Sequence, residues 1–203
     1  MPFVEGVLLA AGESRRMGFP KPLLPLGNTT FIERLCETLL AELPRLLVVL
    51  GAYAQQVRAK LPQDNRIVVV ENRDYALGQL SSLKVAVRAC DPQAWAILVH
   101  LVDQPFIRRE TVAAVVKAYN EGAGPIVIAR WRGKRGHPVL FDRALFPELL
   151  SAAEDQGARA VVHKDPGRVA YVDVEDEGVV LDLDSPEDLA RAGVPYPLDT
   201  ARR

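Results

Sequence analysis

The sequence predicts an α/β fold with a doubly wound, mainly parallel sheet. Short, uncharged apolar runs, which are typical of buried parallel strands, alternate with segments whose apolar residues recur at helical spacing. The chain has 203 residues, 49% of them hydrophobic, which suits one domain with a sizeable core. We therefore interpret residues 1–203 as a single domain.

The first part of the chain follows the strand–helix alternation closely. The predicted strands cover residues 7–11, 46–50, 67–70, 96–102 and 126–129. The predicted helices are one after a capping-box pattern at Thr30 and Glu33, one over residues 53–61, one from about Ser81 and one over residues 111–119. Because helices separate successive strands, we expect these strands to run parallel.

The alternation changes beyond residue 130. The predicted elements there are a charged loop over residues 130–138, helices over 143–151 and after Gly157, strands over 169–174 and 179–183, and a helix capped by Ser185. We expect this part to form a small β-rich extension on the substrate side of the main sheet. The tail over residues 194–203 is predicted to be loose.

Charge and cysteine content exclude several classes of protein. The 25 basic residues are balanced by 26 acidic ones, whereas a nucleic-acid or membrane-surface binder should carry a basic excess. Cys36 and Cys90 fall in helix-like segments and are expected to be buried thiols in a reducing compartment. The first residues lack the features of a targeting peptide, and no apolar run is long enough to span a membrane. We therefore expect a cytoplasmic protein.

The loop after the first predicted strand, residues 9–21, carries the components of a polyphosphate site. Its first residues are small, and Gly12 can take a positive φ, which would allow backbone N–H groups to turn toward an anion. Arg15 or Arg16, together with Lys21, adds positive charge.

Glycine spacing excludes the two commonest phosphate loops. A dinucleotide fingerprint counted from Gly12 would need glycines where this chain has Ser14 and Met17. A P-loop is excluded because Gly12 and Gly18 are one residue too far apart and no Gly-Lys-Ser/Thr follows. The remaining pattern resembles the loop of nucleotidyltransferases with a Rossmann-like fold.

Two aspartates are candidate ligands for Mg²⁺. Asp103 follows a strong predicted strand, and ligands of open α/β sheets bind at the carboxyl ends of the strands. Mg²⁺ uses one or two carboxylates and completes its octahedron with water and phosphate oxygens. Asp184 at the end of a later predicted strand is the second candidate, whereas for Asp182 a solvated position is equally compatible with the pattern.

A basic cluster over residues 130–138 indicates an anionic substrate. Arg130, Arg132, Lys134 and Arg135 lie close together in an otherwise neutral chain. His137, between Gly136 and Pro138, is a candidate donor to a phosphate. His100, inside a predicted strand, is expected to be a core residue, and His163 is expected on a helix surface.

A further loop, residues 72–83, offers polar groups at a helix start. Gly78 permits close approach of a ligand, and Ser81 and Ser82 present hydroxyl and N–H groups. Contact with a nucleotide base or phosphate and ordinary helix capping both agree with this pattern.

Together these segments resemble the molybdenum cofactor cytidylyltransferase family, a branch of the molybdopterin-guanine-dinucleotide-type nucleotidyltransferases. The resemblance runs from Leu9 to about Leu189 and rests on the motifs LAAGESRRMGFPK, NRDYALGQLSSL, VDQP, GHP and LDLDSPED. One departure is Val102, since many members have glycine before the first aspartate, and this slightly crowds the metal site. The resemblance implies a sheet of the nucleotide-diphospho-sugar transferase type.

The family's roles carry over residue by residue. The residues implied for catalysis are Lys21, Arg16 and Asp103, with Mg²⁺ held by Asp103 and Asp184. The residues implied for nucleotide binding are Leu9, Ala10, Ala11, Gly12, Arg16, Lys21, Gly78, Ser81 and Ser82. The residues implied for acceptor binding are Arg135, Gly136 and His137. Residues 1–130 would thus form a nucleotide-binding half and residues 131–193 an acceptor-binding half.

The implied reaction is transfer of CMP from CTP to the terminal phosphate of molybdopterin, with release of pyrophosphate. The implied partners are CTP, the molybdopterin-type cofactor and, transiently, a molybdoenzyme or its chaperone. Two alternatives stay open at this point. One is a related transferase that uses GTP, ATP or a sugar or polyol phosphate acceptor, and the other is a non-catalytic cofactor-binding partner of a molybdoenzyme.

Overall fold

The computed structural model describes residues 3–197 and contains nine strands in this range. They are β1 (Phe3–Ala10), β2 (Pro25–Leu26), β3 (Thr29–Thr30), β4 (Leu46–Leu50), β5 (Ile67–Glu71), β6 (Ala94–Leu101), β7 (Ile126–Trp131), β8 (Lys134–Asp142) and β9 (Val169–Asp173). Each of the five strands predicted in the first part of the chain is present, with bounds shifted by a few residues.

Seven α-helices connect the strands within the same range. They are α1 (Phe31–Leu40), α2 (Ala54–Arg58), α3 (Gln79–Ala89), α4 (Arg109–Asn120), α5 (Phe146–Ser151), α6 (Arg159–His163) and α7 (Pro186–Arg191). The predicted capping box is confirmed at the start of α1, where Thr30 and Glu33 bond to each other's backbone N–H, and α7 has the same device at Ser185. Across residues 3–197 we find no helix with the length and apolarity needed to cross a bilayer.

The main sheet has seven strands in the order β5-β4-β1-β6-β8-β7-β9. β8 alone runs antiparallel to its neighbours, so the sheet is mixed and mainly parallel, as predicted. The predicted β-rich extension is the β8-β7-β9 side of this same sheet. The functional division at residue 130 stays a prediction.

Side chains that alternate along β1 enter two separate cores. Leu8 belongs to a buried cluster with helix residues such as Leu35 of α1 and Val112 of α4. Leu9 belongs to a second cluster that includes Leu83 of α3. Helices therefore cover both faces of the sheet, which is the doubly wound arrangement, and the carboxyl ends of β1 and β6 lie side by side between them.

The prediction of a loop over residues 130–138 is wrong, because these residues form the β7–β8 hairpin. Arg132 and Gly133 form its two-residue turn, with φ values of 46° and 79°. Two consecutive positive φ angles match the right-handed twist of paired strands, so this turn keeps Trp131 and Lys134 in register. The positive charges are therefore carried on a rigid ribbon.

The prediction of a strand over residues 179–183 is also wrong, because a 3₁₀ turn, Glu177–Val179, begins this segment. Asp176 is buried and accepts hydrogen bonds from the Gly178 N–H (3.0 Å) and the Thr111 hydroxyl (2.6 Å). Gly178 packs so tightly against Phe106 that an added Cβ would lie 2.6 Å from its carbonyl carbon. A capping carboxylate and this close approach favour a turn over an extended strand.

The prediction of a loose tail is wrong for its first residues. Val194 is buried, and the Tyr196 hydroxyl donates a hydrogen bond of 2.8 Å to the carbonyl of Met17. An apolar side chain and a hydroxyl with a partner therefore hold the start of the tail against the first loop. The remainder of the predicted tail, residues 198–203, lies outside the described residues.

We predict that Gly136→Ala destabilises the fold. An added Cβ would lie 1.8 Å from the backbone oxygen of Val179, so β8 and the 3₁₀ turn would have to separate. Overpacking of this kind costs about 1–3 kcal/mol, and contact with backbone favours the upper end. Urea denaturation measures the free energy of unfolding.

Gly12→Ala is the matched control for this measurement. No heavy atom lies within 4 Å of a Cβ built at Gly12, so its substitution should leave the free energy of unfolding close to that of the wild type. Equal stability of Gly136→Ala and wild type would show that the contact with Val179 is not a constraint.

Candidate active site

Small residues lie where β1 leads into the first loop, and two backbone carbonyls in this stretch accept hydrogen bonds from neighbouring segments. The Leu9 carbonyl accepts from the Val102 N–H (3.2 Å), and the Ala11 carbonyl accepts from the Ala52 N–H (3.1 Å). Gly12 is exposed, and the space around its Cα is open. A ligand can therefore lie directly against the chain at this point.

Gly12 does not use its freedom to take a positive φ, and the left-handed residues of the loop are Ser14 (53°) and Gly18 (67°). Ser14 organises the loop: its hydroxyl accepts from the Lys21 N–H, and its carbonyl accepts from the N–H groups of Met17 and Gly18, each at 3.0 Å. Met17 is buried and anchors this turn. Sequence reasoning did not assign Ser14 a role, although its place in the glycine-rich pattern is a signal for one.

Lys21 joins the two aspartates that the sequence singled out. Its ammonium group lies 3.1 Å from Asp103 Oδ2 and 2.5 Å from Asp184 Oδ1. Its side chain is only 12% exposed, so these ion pairs are shielded from bulk water. Arg16, which is 74% exposed, reaches the other Asp184 oxygen at 2.6 Å.

Backbone contacts bring Asp184 to this position. The Leu183 N–H donates to the carbonyl of Asp103 (2.9 Å), which seats the 177–184 segment beside β6. The Asp188 carboxylate accepts from the N–H groups of Asp184 and Ser185, which fixes the start of α7. Partial burial raises the pKa of Asp184, but Lys21 and Arg16 outweigh it, so the net pKa is lowered and the group stays ionised.

The residues present fit a divalent cation shared with a ligand. Asp103 Oδ1 is shielded from water and has no hydrogen-bond partner among residues 3–197, while its other oxygen already faces a cation, the Lys21 ammonium. No group of three or more His, Cys, Asp or Glu side chains within those residues forms a self-contained metal site. Two carboxylates plus ligand oxygens are the donor set that Mg²⁺ typically uses.

Asp182 lies beside this site without joining the ion pairs. Its carboxylate accepts a hydrogen bond of 2.7 Å from the Gln104 side chain. Desolvation raises its pKa, and the charges of Asp103 and Asp184 add to this effect. Asp182 lies in irregular structure and not in the strand predicted over residues 179–183.

A cavity of about 240 Å³ lies at the carboxyl ends of β1 and β6. Of the residues predicted for nucleotide binding or catalysis, those that line it are Leu9, Ala10, Ala11, Gly12, Lys21, Gly78, Ser82 and Asp103. Tyr75 and Gln79 also line it and were missed, although both fall in the 72–83 loop. The roles of these residues in nucleotide binding stay predictions.

Ser81 is not among the residues that line this cavity, and its predicted role in nucleotide binding stays a prediction. Its buried hydroxyl donates to the carbonyls of Gly78 (2.7 Å) and Asp74 (3.1 Å) and accepts from the Asn72 amide (2.8 Å). The serine therefore closes the 72–82 loop, which is the capping alternative left open above. Ser82 accepts from the same Asn72 amide at 3.0 Å.

A larger cavity of about 510 Å³ adjoins the first, and Gln79 lines both. Arg135, Gly136 and His137, the three residues predicted for acceptor binding, all line it. Glu154 also lines it and was missed, because no sequence pattern marks that residue.

His137 faces this larger cavity as a neutral imidazole. Removal from water lowers its pKa to about 4, which the nearby Asp103 carboxylate opposes only in part. Its ring centroid lies 6.4 Å from that of His100, which is fully buried, as predicted, and donates to the Gln104 carbonyl. Burial lowers the pKa of His100 to about 3.

The chain matches a known protein family over most of its length. A family model described as a MobA-like NTP transferase domain matches residues 6–169 of the chain, which include the first loop, Asp103 and His137. This chain belongs to the MobA-like NTP transferase family. It is thus a nucleotidyltransferase of the MobA-like type, which agrees with the polyphosphate loop and the two aspartates.

Two curated relatives of this family member span nearly the whole chain. One is nicotine blue oxidoreductase from Paenarthrobacter nicotinovorans, which is 35% identical and covers 94% of this chain and 97% of its own. The other is molybdenum cofactor cytidylyltransferase from Escherichia coli (strain K12), which is 26% identical and covers 97% and 98%.

Among solved structures, Rv0371c from Mycobacterium tuberculosis H37Rv superposes with a TM-score of 0.81 and is 34% identical. The alignment covers 94% of this chain and 96% of that one. The same protein was solved in complex with manganese, with a TM-score of 0.77 to this transferase, 32% identity and coverage of 93% and 97%.

We predict that His137 makes the stability of this transferase sensitive to acid. Its pKa is about 4 in the folded state and about 6.5 in an unfolded chain. The unfolded state therefore binds more protons between these values, and stability falls as pH decreases below 6.5. When the pH is lowered from 6.5 to 5, the free energy of unfolding of His137→Gln should therefore decrease by about 1.5 kcal/mol less than that of the wild type.

Urea denaturation at a series of pH values measures this difference. His163→Gln, on the exposed surface of α6, is the matched control, and its stability curve should overlay that of the wild type. Parallel curves for His137→Gln and wild type would contradict a neutral, desolvated His137.

Proposed function

We propose that this chain is a Mg²⁺-dependent cytidylyltransferase that transfers CMP from CTP to the terminal phosphate of molybdopterin and releases pyrophosphate. The observation that carries the proposal is the pair of salt bridges from Lys21 to Asp103 and Asp184. Lys21 and Asp103 line the smaller cavity together with the small residues of the first loop. The adjoining larger cavity, which Arg135 and His137 line, supports an anionic acceptor beside the nucleotide. Similarity to the Escherichia coli cytidylyltransferase over nearly the whole chain supports CTP and molybdopterin as the substrates.

The nucleotide is proposed to occupy the smaller cavity. Gly12 leaves open space for phosphates, and Ser82 and Tyr75 line the same cavity. Lys21 and Arg16 bring positive charge to the triphosphate end. Their charges are worth most in a partly desolvated site, which the low exposure of Lys21 supports.

Asp103 and Asp184 would hold a divalent cation. Two observations support this assignment: one oxygen of Asp103 has no hydrogen-bond partner among the described residues, and the positively charged ammonium group of Lys21 already lies between the two carboxylates. When bound, such an ion supplies Lewis-acid neutralisation of phosphate charge. The manganese complex of the mycobacterial relative supports a divalent metal in this family.

The chemistry is in-line phosphoryl transfer. An oxygen of the acceptor phosphate forms a bond to the α-phosphorus, and the bond from the α-phosphorus to the bridging oxygen breaks, so pyrophosphate leaves with the electron pair. The attacking phosphate is already ionised at neutral pH, so the reaction needs no general base. Lys21 and Arg16 neutralise charge on the triphosphate, while neutral His137 can donate a hydrogen bond to the acceptor.

A second candidate function follows from the 35% identity with nicotine blue oxidoreductase. In this alternative the chain would act as an oxidoreductase on nicotine blue. An oxidation–reduction reaction gives no role to a lysine held between two carboxylates beside the first loop, so we rank this function second.

Turnover of CTP, GTP and ATP should separate these functions. With Mg²⁺ and molybdenum cofactor, we expect pyrophosphate release with CTP and much less with GTP or ATP. Release with GTP or ATP instead would keep the chemistry and change the nucleotide. Oxidation of NADH or NADPH by nicotine blue without pyrophosphate release would establish the second candidate.

We predict that Asp103→Asn lowers the rate of transfer about 10²–10³-fold, because one charged contact in the transition state is lost. Asp173→Asn is the matched control, since Asp173 is an exposed carboxylate paired with Arg130 on the surface of β7 and β9. Pyrophosphate release measures both variants. A fully active Asp103→Asn would refute the metal assignment.

Lys21→Met is predicted to weaken CTP binding about 10- to 100-fold, because a charge-assisted contact with the triphosphate is removed. Isothermal titration with CTP and Mg²⁺ measures the change. Lys117→Met, on the exposed surface of α4, should bind CTP as the wild type does. If Lys21→Met impaired only acceptor binding, the nucleotide would have to occupy a different cavity.

A further inference from the structure

The larger cavity is lined by both apolar and charged side chains. The apolar side chains come from four elements: Leu83 of α3, Val99 of β6, Ile128 of β7 and Phe141 of β8. They can pack against the faces of a flat ring, whereas the hydroxyl groups of a sugar would find hydrogen-bond partners only among the polar residues of the lining. Apolar side chains from four elements in a cavity of about 510 Å³ favour a flat heterocyclic ring.

Glu154 contributes a carboxylate to this cavity, and within residues 3–197 only one of its two oxygens has a hydrogen-bond partner. Its Oε1 accepts from the Lys84 ammonium at 2.7 Å. Its Oε2 is shielded from water and has no hydrogen-bond partner among the described residues 3–197. A shielded oxygen without a donor is energetically unfavourable, so this atom is suited to an N–H that arrives with a ligand.

Lys84 holds the carboxylate in place. Its ammonium also donates to the Ala152 carbonyl at 2.7 Å, and its side chain is only 12% exposed. The lysine therefore has two fixed partners and compensates the negative charge of Glu154. An anionic acceptor can thus lie in the same cavity, where Arg135 and Arg159 supply positive charge for its phosphate.

We propose that Glu154 is a specificity residue that recognises the acceptor through an N–H donor on the edge of a flat, phosphorylated heterocycle of the pterin type. Lys84 is a positioning residue that orients the carboxylate. This inference rests on the proposed function for the transfer step and adds the group that distinguishes a pterin from other phosphorylated acceptors.

Two phosphate-free probes test the recognition apart from catalysis. 6-Hydroxymethylpterin carries an amino group and a ring N–H on its pyrimidine edge, whereas 1,3-dimethyl-6-hydroxymethyllumazine has no N–H there. Fluorescence titration gives the dissociation constant of each probe with the full-length protein. The wild type should prefer the pterin, because only the pterin has N–H groups on this edge that can donate to Glu154 Oε2.

Glu154→Gln should raise the dissociation constant of the pterin about 10- to 100-fold, because a hydrogen bond to a charged acceptor is lost. The ratio of the dissociation constant of the lumazine to that of the pterin should fall toward one, while the dissociation constant of CTP stays unchanged. Lys84→Met should lower the preference as well, because the carboxylate loses its orientation. Asp155→Asn is the matched control, since Asp155 is an exposed carboxylate in the same loop and cavity.

Unchanged probe binding by Glu154→Gln would overturn the inference, as would equal loss of binding in Asp155→Asn. A wild type that binds neither probe, or that prefers the lumazine, would also overturn it. Pyrophosphate release from CTP and molybdenum cofactor is measured separately. If release occurs and Glu154→Gln does not affect pterin binding, the transfer function stands and the inference fails. If no release occurs but pterin binding requires Glu154, the recognition stands and the transfer function fails.

Discussion

The ion pairs of Lys21 with Asp103 and Asp184 connect three segments that are distant in the chain. Lys21 comes from the first loop, Asp103 from the end of β6, and Asp184 from the start of the last helix. Each carboxylate is partly withdrawn from water, so neither would be favourable beside the other without a cation between them. One electrostatic centre therefore joins these three segments, and in the proposed function a nucleotide with its metal ion would take over these charges.

Close backbone packing makes this junction geometrically possible. The 177–184 segment lies between β8 and the loop after β6, and glycines at both contacts leave no space for a side chain: Gly136 against Val179, and Gly178 against Phe106. The hydrogen bond from Leu183 to the Asp103 carbonyl then sets the position of Asp184. Rigid positioning of this kind suits a reaction in which catalysis depends on geometry and charge, without a nucleophile or base from the protein.

The two cavities differ in the groups that line them. The smaller one offers backbone and charge from the first loop, whereas the larger one combines apolar side chains with Glu154 and Arg135. Gln79 lines both cavities, so groups bound in each would meet near the start of α3. The neutral His137 lines the larger cavity, which we propose for the acceptor, and does not add charge to a centre that already balances two carboxylates against Lys21 and Arg16.

The sequence by itself determined six of the seven strands of the main sheet, most helices, the loop that contains Lys21 and the proximity of Asp103 to Asp184, because apolar periodicity, capping residues and strand ends are local signals. Tertiary structure alone decided that residues 130–138 form a hairpin, that residues 177–179 form a turn, and that Ser81 closes a loop instead of lining the cavity. It also brought Glu154 to the acceptor cavity, although nothing in the surrounding sequence marks this residue. These outcomes depend on contacts between segments far apart in the chain, and such contacts cannot be predicted from local sequence patterns.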